Sequence, residues 1–142
     1  MSYLLSTAAL NDLVSQKLSM VGFASAVNYN SIHVSVISAG ILYAEISALP
    51  PSASSKHNLK INLDVIMKKV ESSNGVRDIS LDIINSWVQL DGLQLMNSMG
   101  QPLGMESTLV FATALVSQLT LVTPVEPWLP TLKARGLHVH TY

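Results

Sequence analysis

Cysteine is absent from this 142-residue chain. A disulfide framework and a thiolate zinc site are therefore excluded, and composition carries no trace of the redox compartment. Charge is scarce too. Asp, Glu, Lys and Arg make up 12% of the residues, about half the share in an ordinary soluble domain. The net charge of -1 lacks the basic excess of a dominant nucleic-acid-binding surface.

No apolar run is long enough to span a bilayer. The longest uncharged stretch, 107–124, is interrupted by Ser107, Thr108, Thr113, Ser117, Gln118, Thr120 and Thr123, whereas a spanning helix needs about 20 predominantly apolar residues. The N-terminus lacks the basic segment of a secretory signal, its first Lys or Arg being Lys17. Mean hydropathy is nevertheless +0.38. A soluble chain with so few charges is expected to complete its burial against other subunits.

Familiar catalytic motifs are missing as well. The Gly100–Gly104 segment has neither a Walker lysine nor a dinucleotide fingerprint, and no serine sits in a nucleophile elbow. Asp64, Asp78, Asp82 and Asp91 are spaced as cap, surface or turn acids. No catalytic residue, metal or cofactor is expected. The imidazoles of His138 and His140 would share one side of a strand, but no third ligand clusters with them. That pair reads as a partner-contacting tail. His33 alternates away from Ile32 and Val34 and is expected at the surface or an interface.

What is present is strong hydrophobic patterning. Residues 4–21 place Leu4, Leu5, Ala8, Ala9, Leu13 and Val14 at helical spacing, with Ser6 or Thr7 as N-cap and Gly22 as the stop. Alternation resumes around Ile32 and again around Ile41, with Ala39-Gly40 between, which predicts a hairpin over 32–47. Prolines and serines predict a loop over 49–58. Leu59, Ile61, Leu63, Val65 and Met67 then alternate with mainly polar residues, predicting a strand over 59–70. After the Asn74-Gly75 turn, a second helix is expected over 78–99. Asp78 or Ser80 would cap it, Asp82 lies in its first turn, and Ile79, Ile83, Trp87 and Leu90 form its buried stripe.

The stretch 107–124 organises the rest. If extended, it puts Leu109, Phe111, Leu115, Leu119 and Leu121 on one side and Val110, Ala112, Ala114, Val116 and Val122 on the other. Such a strand must be covered on both faces. Pro124, Pro127 and Pro130 then divide a domain of residues 1–124 from an extended arm, 125–142. Trp128 in that arm is either an intramolecular clamp or an intersubunit anchor. Candidate interface residues are Val110, Val116, Val122, Trp128, Leu129, His138 and His140.

The order of these elements resembles the small tail terminator and tail completion proteins of long-tailed bacteriophages. The resemblance rests on the helix 4–21, the hairpin 32–47, the strand 59–70, the helix 78–99 and the long strand 109–122. It implies an α+β fold, a mixed and mainly antiparallel sheet with two helices packed on it, extended here by the C-terminal arm. It further implies a non-enzymatic virion protein, assembled in the host cytoplasm, that forms a hexameric ring capping the tail tube. Tube, neck or sheath proteins would be its partners, with DNA only passing through a lumen that Glu45, Glu71 or Glu106 could line. Other tail, neck or baseplate proteins form one alternative. A small cytoplasmic α/β enzyme or ligand-binding module forms another.

Overall fold

A three-residue strand, Tyr3–Leu5 (β1), starts the fold and becomes its centre. The computed structural model describes all 142 residues. After β1 come helices Thr7–Val14 (α1) and Leu18–Ala26 (α2), then strand Ile32–Ser35 (β2). Helices Val36–Ala48 (α3) and Lys56–Ser72 (α4) lead to the short strand Val76–Arg77 (β3). Helices Leu81–Asp91 (α5) and Met105–Val116 (α6) lead to Thr120–Thr123 (β4), Leu129–Ala134 (α7) and Val139–Thr141 (β5). The five strands pair in the order β3-β2-β1-β4-β5, and every pairing is parallel.

Parallel strands need crossover connections, which places helices on both faces of the sheet. Leu5 lies beside Val34 and Val122 and faces one layer, where Leu10, Met20, Leu42 and Leu63 are buried. Leu4 lies beside Leu121 and faces the other, with Leu90, Phe111, Trp128 and Leu132. Gly75 illustrates how tightly strands and turns fit. A Cβ there would meet the Ile32 carbonyl oxygen at 2.6 Å, while Asn74 takes the positive φ of the turn (57°).

The α+β expectation of a mainly antiparallel sheet with two helices is thus replaced by an α/β fold with a five-stranded parallel sheet and seven α-helices. The long strand expected over 107–124 is a helix followed by a strand. A segment apolar on both faces satisfies a helix buried all round as well as a doubly covered strand, and every residue from Thr108 to Ala114 is buried. Thr113 hides its hydroxyl by donating to the Leu109 carbonyl at 2.8 Å. Gln118, at φ 53°, then turns the chain into β4.

The strand expected over 59–70 is also helical, as α4. Leu63, Ile66 and Val70 form its buried stripe, while Ile61 and Val65, which alternation placed beside Leu63, are 44% and 48% exposed. Only the first arm of the expected 32–47 hairpin is a strand. Ser35 Oγ accepts from the Ile37 N–H at 3.1 Å and starts α3, with Gly40 inside it. The helix expected over 4–21 divides into β1, α1 and α2, and its proposed stop, Gly22, lies within α2. The second expected helix is the shorter α5, capped by Ser80 with Asp82 in its first turn. The extended C-terminal arm is replaced by α7 and the edge strand β5, tied down where Tyr142 Oη donates to Asp12 Oδ2 at 2.6 Å.

Leu63 and Val65 separate the two periodicities. Leu63→Ala should cost about 2–4 kcal/mol in urea unfolding, and Val65→Ala less than about 0.5 kcal/mol. Equal losses would put both side chains on one buried strand face.

Candidate functional site

The chain leaves β1 into the layer of α1 and leaves β4 into the opposite layer, that of α7. Connections that depart to opposite faces from adjacent strands leave a crevice beyond the strands' carboxyl ends, where open α/β sheets place ligands. That crevice is a cavity of about 130 Å³ lined by Ser6, Thr7, Ser107, Thr123, Glu126 and Trp128, among others.

Each wall is fixed by its element. Ser6 follows β1 directly and caps α1, its Oγ accepting from the Ala9 N–H at 3.0 Å. The Thr7 and Ser38 hydroxyls are hydrogen-bonded at 2.8 Å, joining α1 to α3. Asn97 holds the loop before α6, accepting from the Met99 and Gln101 N–H groups at 2.9 and 3.0 Å. Thr123, the last residue of β4, donates its hydroxyl to the Pro124 carbonyl at 3.1 Å. Trp128 packs against Phe111 with ring centroids 4.3 Å apart.

Glu126 is the crevice's one carboxylate. It makes no ion pair; those of the molecule are Lys17–Asp12 and Lys60–Asp64, at 3.8 and 3.2 Å. Elsewhere on the sheet, His33 is buried rather than at the surface, and its Nδ1 accepts from Arg77 Nε at 3.2 Å. Burial, with the Arg77 charge, holds this imidazole below the ordinary histidine pKa.

The interface candidates divide. Val110, Val122, Trp128 and Leu129 are buried within the chain. Val116 is 39% exposed, and His138 and His140 are exposed, His140 with its ring 4.9 Å from that of Phe23. The crevice residues Ser6, Ser107, Thr123 and Glu126 carried no functional expectation. A detectable signal existed at two of them: Leu4-Leu5-Ser6 and Leu121-Val122-Thr123 each end a short apolar strand on a hydroxyl. Glu126, between two prolines, carried none.

No protein-family model matches the chain, and no curated protein matches it. Solved structures do. VapBC2 from Rickettsia felis bound to a DNA fragment from its promoter matches with a TM-score of 0.76 at 18% identity, covering 100% of this chain and 99% of that one. DNA-bound VapBC from Salmonella typhimurium matches with a TM-score of 0.73 at 16% identity, over 99% and 98% of the two chains. FitAB bound to the IR36 DNA fragment gives 0.71 at 11% identity, over 98% and 94%. At these identities the likeness defines the fold, a PIN-like α/β fold.

These neighbours overturn the resemblance to phage tail terminators. They are toxin–antitoxin proteins, not virion or tail components, and in their complexes no hexameric ring, tail tube, sheath or neck protein figures. The virion location and the DNA-conducting lumen lined by Glu45, Glu71 or Glu106 lose their basis with the ring. The expectation of a non-enzymatic protein falls too, because it came with the phage resemblance that these toxin–antitoxin neighbours replace.

Nucleases commonly clamp phosphate oxygens with divalent cations. Such ions need anionic oxygen ligands to offset dehydration, and the crevice offers one carboxylate among neutral hydroxyls. No group of three or more His, Cys, Asp or Glu side chains anywhere in the chain could hold a metal. This donor set does not fit a divalent-cation centre.

The crevice hydroxyls also differ in what they do for the fold. Ser6→Ala should lower stability by about 1 kcal/mol through loss of the cap. Ser107→Ala, which removes a hydroxyl with no protein partner, should stay within about 0.5 kcal/mol. Thermal unfolding of both variants checks this, and equal losses would tie Ser107 to the fold.

Proposed function

We propose that this chain is the toxin-side member of a toxin–antitoxin pair, a small PIN-fold enzyme that engages RNA at the crevice between β1 and β4. The observation that supports this most is the end-to-end match to VapBC2, with a TM-score of 0.76 over 100% of the chain. Its position at the switch point of a parallel sheet supports the crevice as the RNA site. The partner is an antitoxin protein. DNA contact belongs to the complex, in keeping with this chain's net charge of -1 and the DNA bound in the neighbouring structures, a promoter fragment in that of VapBC2. The pair acts in the bacterial cytoplasm. Val116, His138 and His140, accessible in the isolated chain, are available as partner contacts.

One observation favours a second reading. A single carboxylate is a sparse endowment for phosphodiester hydrolysis, which suits a module that binds RNA without cutting it. An end-labelled RNA incubated with the purified protein, with and without its co-expressed antitoxin, distinguishes them. Shortened product, suppressed by the antitoxin, is the expected result. Retention of intact RNA selects the second reading. Failure to bind RNA, or to form a stable complex with any antitoxin encoded beside its gene, would contradict the proposal.

A further inference from the structure

We infer that the crevice grips the ribose edge of an RNA strand directly, with the Glu126 carboxylate accepting from sugar hydroxyls and no divalent cation between them. This deepens the RNA reading above and rests on it. Three polar groups in the crevice walls are uncommitted. The Glu126 carboxylate makes neither an ion pair nor a hydrogen bond within the protein, only the backbone carbonyl of this residue being engaged, by the Leu129 N–H at 3.2 Å, and the Ser107 hydroxyl has no protein partner. Trp128 Nε1 has none either. Trp128 is only 6% exposed, yet no fully buried side-chain nitrogen or oxygen lacks a partner, so its indole N–H reaches solvent. The remaining hydroxyls, on Ser6, Thr7 and Thr123, are engaged in caps and wall contacts and hold the shape.

The sign of the charge selects the ligand group. A carboxylate with no cation beside it repels a phosphate and attracts a hydroxyl proton. A ribose offers two adjacent hydroxyls that can donate to Glu126, and oxygens that can accept from Ser107 and Trp128. The same pairing of an acidic residue with ribose hydroxyls recurs in other doubly wound folds. A cavity of about 130 Å³ has room for one sugar-sized group. The 2′-hydroxyl is the feature by which a protein distinguishes RNA from DNA, so discrimination between the two is the property this arrangement confers.

The test is a fluorescence-anisotropy titration of the full chain with a short labelled RNA and its 2′-deoxy counterpart, in EDTA and again with Mg²⁺ or Mn²⁺. The expected result is about tenfold tighter binding of the ribo-oligonucleotide, unchanged by EDTA. Glu126→Ala should bring the ribo/deoxy ratio close to one, and Glu126→Gln, which keeps an acceptor but not the charge, should fall between. Melting curves for both variants verify that they fold. Equal affinity for ribo- and deoxy-oligonucleotides overturns the inference. So does RNA binding that vanishes in EDTA and returns with Mn²⁺ bound stoichiometrically by electron paramagnetic resonance, an outcome that leaves the RNA reading intact. Absence of binding by either oligonucleotide under every condition removes the RNA reading and this inference together.

Discussion

The hydrogen bonding of β1 on both sides is the constraint from which the rest of the molecule follows. Three residues, Tyr3–Leu5, are paired in parallel with β2 on one edge and β4 on the other, and the ladder continues past the strand where the Ser6 N–H donates to the Val122 carbonyl at 2.9 Å. A central parallel strand cannot expose either face, so Leu4 and Leu5, both fully buried, each require a layer of helices. It also cannot end without opening the crevice, because its continuation and that of β4 leave in opposite directions. Fold and site share this one cause.

The two layers account for the unusual composition. A chain that is 49% hydrophobic and 12% charged suggests surfaces waiting for other subunits. Instead, apolar residues fill two separate cores, of 16 and 15 buried residues, on either side of the sheet. A sheet covered twice consumes about twice the apolar side chains of a sheet covered once. The scarcity of charge is thus largely an internal matter. No helix is long and apolar enough to cross a membrane.

Local chemistry was legible where it depends on single residues, and illegible where it depends on period. Ser6 and Ser80 are helix caps, Asp82 sits in a first turn, and Asn74-Gly75 turns the chain, all as their residue types imply. Over 59–70 and 107–116, by contrast, apolar residues are dense enough to satisfy a period of 2 and a period of 3.6 together. The β-branched content of 107–116 favoured the wrong one, and tertiary burial overrode that propensity. Once those two helices are taken for strands, a parallel sheet becomes an antiparallel one and the phage resemblance follows. The crevice was hidden for a related reason. Its residues come from three separate stretches, 6–8, 97–111 and 123–128, and only a parallel order that brings β1 beside β4 unites them.

The proposed RNA engagement is localised at the carboxyl ends of β1 and β4. Amide chemical-shift mapping of the isotope-labelled protein with a short RNA tests it most directly. The predicted result is a cluster of shifted signals at Ser6–Ala8, Asn97, Ser107 and Thr123–Trp128, leaving the groove of Gln118, Arg135 and His138 at the opposite end of the strands unchanged. Shifts concentrated at that opposite groove, with the crevice amides unmoved, would contradict it.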